Sequence, residues 1–160
     1  CPEKRGANLL VNGSLDIIHG SSPGWWNPGR FDGTAKDGRF ATSDDGRNES
    51  KCVSISGSGE RAAYDAVPVP VYPGRKYRLS AWVRTKDATG DNQIGLFWYK
   101  GKMWTYIGES RSESVSGTRD WARVSITATA PEEAMFVRAN LISRANTGTV
   151  WFDDVTLVEE

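Results

Sequence analysis

An all-β chain folded as a two-sheet antiparallel β-sandwich is what the sequence predicts, on three observations. No stretch of a dozen residues keeps a helical period, short segments of alternating apolar and polar side chains recur almost to the end, and Gly, Pro, Asn and Asp punctuate the gaps between them. At 160 residues and 38% hydrophobic, the chain is long enough to bury one core and too short for two. One domain over 1–160 is therefore expected, with no internal repeat or low-complexity tract.

The candidate strands, in order, are ANLLVNGSL at 7–15, KCVSIS at 51–56, AAYDAVPV at 62–69, KYRLSAWVR at 76–84 and NQIGLFWYK at 92–100. MWTYIGES at 103–110, WARVSITATA at 121–130, MFVRANLIS at 135–143 and TVWFDDVTLV at 149–158 follow. Each is strand-sized, and most are rich in the apolar, aromatic and β-branched residues that fit a pleated, half-buried surface. Nine strands make two sheets. The polar, Gly-rich stretch from His19 to Asn48 is too long for a hairpin and too rich in Trp for a linker, so an ordered loop that carries function or covers an edge is expected there. Pro68, Pro70 and Pro73 with Gly74 mark an edge-like extended segment leading into a turn.

Alternation assigns the faces. In the fourth segment Tyr77, Leu79, Ala81 and Val83 share the core side, leaving Arg78, Ser80, Trp82 and Arg84 outside. In the fifth, Ile94, Leu96 and Trp98 point inward and Gln93, Gly95, Phe97 and Tyr99 outward. In the eighth, Val137, Ala139 and Leu141 are core and Phe136, Arg138, Asn140 and Ile142 take the outer face. Three outer faces thus mix rings, Arg, Gln and Asn. Sugars are recognised by such mixtures, because pyranose C–H faces stack on aromatic planes while hydroxyls pair with amides and guanidinium forks. The plain alternative is an outer face covered by a loop or a partner.

Composition narrows the classes. Seven Trp, five Tyr and five Phe exceed what a core this small needs. Twenty Lys plus Arg against twenty Asp plus Glu leave a formal net charge of zero, without the basic field that nucleic acid or an anionic membrane demands. No apolar run approaches the roughly 20 residues of a bilayer span, and no secretory leader precedes the first strand candidate. The chain begins with Cys1 rather than Met, which points to a processed start or to a piece excised from a larger multidomain protein; a mature terminal Cys also fits a lipid-anchored bacterial surface protein. Cys1 and Cys52 permit a disulfide in an oxidising compartment, and their spacing leaves the pairing open.

Five motifs in order, NLLVNGSLD, GWW at 24–26, VPVYPGRKYRLSAWVR, WARVSITATAP and VWFDDVTL, resemble the carbohydrate-binding modules of families four, nine, sixteen and twenty-two, which are attached to xylanases, mannanases and glucanases. The resemblance runs from about Asn8 to Leu157. It implies a β-jelly-roll with a glycan site on the concave sheet face, a monomer tethered to a glycoside hydrolase catalytic domain, and an extracellular or cell-surface location. It also implies a structural Ca²⁺ away from the sugar, joining the first strand to the last. Its matches here are the carbonyl of Ser14, the carboxylate of Asp16, a carbonyl near Lys51, and the Asp153, Asp154 pair; hard oxygens of this kind suit Ca²⁺. Many relatives carry Glu at the Asp16 position, and the plain reading of Asp153 and Asp154 is a capped strand end.

The carbohydrate-binding candidates are Trp26, Trp82, Arg84, Gln93, Phe97, Tyr99, Trp104, Arg138 and Asn140. Trp26 is expected as an exposed platform, Trp82 as the floor of a cleft, and Trp104 with Tyr106 as one wall. Arg84 and Arg138, on one expected face, would fork onto vicinal hydroxyls or an acidic group. Gln93 and Asn140 would orient hydroxyls. Trp25 closes a core rim or stacks on sugar, Trp98 and Trp121 are expected in the core, and Trp151 fits either place. An enzyme is disfavoured: His19 is the one histidine and has no nucleophile or metal spacing around it, and a glycosidase needs two carboxylates about 5 to 10 Å apart, whereas most acidic residues here fall in turns. The rival reading is a structural or protein-interaction sandwich that binds no glycan.

Overall fold

The computed structural model describes residues 6–30 and 39–160. In chain order its strands are β1 (Ile18–His19), β2 (Ser22–Pro23), β3 (Trp26–Arg30), β4 (Arg39–Ser43), β5 (Cys52–Ser56), β6 (Ala62–Ala66) and β7 (Val69–Pro70). The long strands follow: β8 (Lys76–Ala88), β9 (Asp91–Lys100), β10 (Thr105–Arg111), β11 (Gly117–Thr129), β12 (Phe136–Arg144) and β13 (Thr149–Glu159). A six-stranded antiparallel sheet has the order β10-β9-β12-β6-β3, with β7 also on β12, and packs against a five-stranded sheet of order β11-β8-β13-β5-β4. The all-β sandwich expected from the sequence is the fold observed.

The core lies between the sheets. Ile94, Leu96 and Trp98 of β9 and Val137, Ala139 and Leu141 of β12 meet Tyr77, Leu79, Ala81 and Val83 of β8 and Val150 and Phe152 of β13, all buried. Each such large side chain contributes about 1.5 to 3 kcal/mol of hydrophobic stabilisation. Period-two alternation was sufficient for these inward positions, which fall on every second residue of β8, β9 and β12.

The early chain departs from expectation. Residues 7–15 form turns rather than a strand, with left-handed backbone at Asn12 (φ 55) and Leu15 (φ 61). The segment still docks along β13: Asn8 Nδ2 donates to the Val155 carbonyl at 3.0 Å, and Asn8 Oδ1 accepts from the Leu157 amide at 2.9 Å. Gly13 permits this approach, since a Cβ there would lie 2.2 Å from the Val155 carbonyl oxygen. The stretch expected as a loop from His19 to Asn48 supplies one of the two edge strands of each sheet, β3 and β4. Cys52 carries a free, fully buried thiol, its Sγ 3.1 Å from Ser43 Oγ, and burial above all pushes it up to about 11. Cys1, the other half of the possible disulfide, lies outside the described residues.

Candidate functional site on the outer face of the six-stranded sheet

The outer face of this sheet opens into a cavity of about 400 Å³ lined by Arg61, Asp65, Phe97, Tyr99, Tyr106, Glu109, Arg138 and Asn140. Register brings them together. Across the sheet, Tyr106 pairs with Tyr99 and Tyr99 with Phe136; Glu109 pairs with Phe97 and Phe97 with Arg138; Gly95 pairs with Asn140 and Asn140 with Asp65. Phe97, only 6% exposed, packs with Ala63, Ile142 and Tyr99 as an apolar floor outside the main core. Gly95 makes room for it, because a Cβ at 95 would stand 2.9 Å from the Phe97 ring. Tyr106 is 51% exposed, with its ring centroid 6.1 Å from that of Tyr99. Trp104 is 46% exposed and lies 4.4 Å from Phe136, centroid to centroid.

Charge is paired unevenly on this floor. Arg111 forks onto Glu109 through Nε at 2.9 Å and Nη2 at 2.8 Å. Burial works against the ionised Glu109, but the Arg111 hydrogen bonds and charge outweigh it and hold the carboxyl below its ordinary value. Among the described residues Asp65 has no such fork. Burial pushes its carboxyl up to about 6 although Arg138 and Arg61 attract it. Among the described residues, Asp65 Oδ1 and Arg138 Nε are both buried without a hydrogen-bond partner, an expensive condition for buried polar groups. Asn140, nearly buried, donates from Nδ2 to the Arg138 carbonyl at 3.2 Å.

Of the residues expected from the sequence, Phe97, Tyr99, Arg138 and Asn140 line this cavity, while Trp104 lies outside the lining, against Phe136, the register partner of Tyr99. Gln93 shares the face but donates Nε2 to the Ser112 carbonyl at 2.9 Å, beyond the cavity lining. Three expectations are corrected. Trp26 is not a platform: it is 2% exposed, and its Nε1 donates to the Asn12 carbonyl at 3.1 Å. Its neighbour Trp25, left-handed at φ 64, is the exposed indole, edge-on to His19. Trp82 and Arg84 sit on the outer face of the other sheet, because β8 belongs to the five-stranded layer while β9 and β12 belong to the six-stranded one. Arg84 therefore does not share a face with Arg138. Trp121 is likewise not core; it lies on that opposite face under the Arg84 guanidinium, 5.0 Å from its ring centroid.

Arg61, Asp65 and Glu109 were not among the sequence candidates. Asp65 was legible, since it alternates with the inward Tyr64. Glu109 was hidden by a bulge between Tyr106 and Gly108, which resets the face so that Tyr106 and Glu109 both turn outward although three residues apart. A Gly at 108 inside a strand was the available signal.

A family model of carbohydrate-binding modules of the 4/9 type, CBM_4_9_1, described as BppA domain 1, matches residues 35–157. The chain belongs to this family. Modules of this kind bind carbohydrate and are non-catalytic. No sequence among the curated proteins matches the chain. Its fold is shared with "Family 16 Carbohydrate Binding Module-2", at TM-score 0.66 and 21% identity over 95% of this chain and 100% of that one. It is also similar to the CBM22-1-GH10 modules of Clostridium thermocellum endo-1,4-β-D-xylanase 10B, complexed with xylohexaose, at TM-score 0.67 and 14% identity over 99% of this chain and 29% of that one. Tailspike protein 4 of bacteriophage CBA120 matches at TM-score 0.75 and 14% identity over 96% of this chain, which spans 21% of the tailspike chain.

In this carbohydrate-binding module the expected metal ligands divide into two groups. A Cβ on Gly46 would meet the Ser50 carbonyl at 2.7 Å and the Lys51 carbonyl and Asp153 Oδ2 at 2.8 Å, so a glycine lets three hard oxygens converge. Asp16 adjoins them, its Oδ1 accepting from the Lys51 amide at 3.0 Å. Asp153 is fully buried, and burial above all raises its carboxyl even though the Arg47 and Asp154 amides and the Ser50 hydroxyl donate to it. Asp154 points elsewhere, to the Arg47 guanidinium at 3.2 Å, and lines a separate hollow with Ser14. Asp153, Asp16 and the Lys51 carbonyl therefore fit a hard cation, and the Asp153, Asp154 pair does not act as a unit. Among the described residues no three His, Cys, Asp or Glu side chains gather at one point, so a cation here would draw on carbonyls for much of its shell. Among the same residues no helix is long and apolar enough to cross a membrane.

Proposed function

We propose that the chain docks a larger extracellular or cell-surface protein onto a polysaccharide or oligosaccharide, and that the cavity on the six-stranded sheet is where the sugar lies. The single observation behind this reading is the Phe97, Tyr99 and Tyr106 floor, whose Tyr106 ring is half exposed beside polar atoms of Asp65 and Arg138 that have no hydrogen-bond partner among the described residues. Pyranose rings offer what each lacks: C–H faces for the rings and hydroxyls for the polar atoms. Relatives of like fold whose structures hold xylohexaose or β-1,4-galactotriose make linear β-linked glycans the first ones to try. An attached catalytic domain would gain local substrate concentration from such docking.

Affinity electrophoresis through soluble xylan, mannan, galactan and mixed-linkage β-glucan tests the reading. Retardation in at least one supports it; unchanged mobility in all, with no binding on a wider glycan array, would favour the scaffold alternative. Asp153, Asp16 and Lys51 would hold a structural Ca²⁺ that fastens β13 to the early chain, so calcium is expected to raise the unfolding temperature and a chelator to reverse the rise.

A further inference from the structure

We propose that Asp65 and Arg138 form a matched acceptor and donor for sugar hydroxyls, so that the cavity takes uncharged glycan units and discriminates against units bearing carboxylate or sulfate at that position. The inference rests on the glycan-docking reading above and names the ligand class of the same site.

Asp65 on β6 and Arg138 on β12 are neighbours on one outer face: Asp65 pairs with Asn140, two residues along the strand from Arg138. They attract one another through space, yet among the described residues Asp65 Oδ1 and Arg138 Nε each remain without a hydrogen-bond partner. An ionised carboxylate only accepts and a guanidinium only donates, whereas a hydroxyl does both. One hydroxyl, or a vicinal pair, can donate to Asp65 and accept from Arg138 together. A carboxylate or sulfate oxygen can accept from Arg138 but leaves Asp65 without a donor and brings a like charge beside it.

Ionisation of Asp65 sets when this filter operates. The groups facing it are Arg138 and Asn140 on β12, Arg61 just before β6, Tyr99 on β9, Tyr106 and Glu109 on β10, and Asn27, its register partner on β3. Burial, opposed by Arg138 and Arg61, leaves the carboxyl at about 6. The acceptor form therefore grows in as pH rises through that value, and affinity for an uncharged glycan should strengthen in the same direction.

Calorimetric titration with a neutral polysaccharide that retards the protein, and with its own C6-carboxylated or sulfated derivative, tests the inference. At pH 7.5 the parent protein is expected to prefer the neutral form by about tenfold or more, a difference typical of one unpaired polar group. Asp65→Asn, shown to be folded by its thermal transition, should weaken neutral-glycan binding, narrow the preference to about threefold or less, and flatten the pH 5 to 8 profile. A parent that binds both forms equally, or an Asp65→Asn variant that keeps the preference and the profile, overturns the inference and leaves the docking reading standing. A parent that binds neither form overturns both.

Discussion

On the five-stranded sheet the Arg47 guanidinium lies 3.7 Å from the centroid of Trp82, and Arg84 lies between Trp151 at 4.5 Å and Trp121 at 5.0 Å. On the six-stranded sheet Arg61, Arg111 and Arg138 stand 5.1 to 6.0 Å from Phe97 and Tyr99. Both outer faces hold rings and arginines. The first spends them on itself, for Arg47 is also tied to Asp154 at 3.2 Å and Arg84 to Asp45 at 2.9 Å. A hollow of about 550 Å³ opens beside Trp151, but its Arg84 wall is already stacked and ion-paired. The second face opens around the half-exposed Tyr106 ring, and among the described residues Asp65 Oδ1 and Arg138 Nε on it lack a hydrogen-bond partner, as Arg84 Nε does on the first. Composition of a face is therefore a weak guide to binding; what separates a stabilising ladder from a binding floor is whether its rings already have partners.

The largest effect is expected from Tyr99→Ala, which removes the central ring of the open floor. Glycan affinity should fall by about 1 to 3 kcal/mol, the range of an interface hot-spot aromatic, as read by titration calorimetry. Arg84→Ala should do the opposite kind of damage: unfolding free energy in urea drops by about 0.5 to 2 kcal/mol with the lost stacking, and glycan affinity stays at the parent value. An Arg84→Ala loss of affinity would break the division between the faces. The smallest effect is expected from Trp104→Ala, about 1 kcal/mol or less in glycan affinity, since that indole lies outside the cavity lining and already rests on Phe136.

Fold and core were legible because two physical signals suffice for them, an alternating pattern and a set of turn residues. Tyr77, Leu79, Ala81 and Val83 are buried as that pattern requires. Alternation says whether a side chain faces the core or water but not to which sheet its strand belongs. Trp82 and Arg84 point outward as expected, yet on the far side of the molecule from Phe97 and Arg138, because strand order in a sandwich is set by long-range pairing. The chain around Trp26 was misread for a local reason: the left-handed Trp25 puts one indole in water and the next in the core. The Asn12-Gly13 dipeptide, a turn signal inside the first expected strand, explains why 7–15 is not one. Phe97, Tyr99, Arg138 and Asn140 stayed together because register within β9 and β12 is unbroken from Phe136 to Arg144.

Mapping amide chemical shifts while a soluble glycan is added tests most directly which face the sugar meets. The account expects the perturbed residues to gather at Asp65, Phe97, Tyr99, Tyr106 and Arg138, with Trp82, Arg84 and Trp151 unmoved. Perturbations centred on those three tryptophan and arginine positions of the opposite sheet would contradict it.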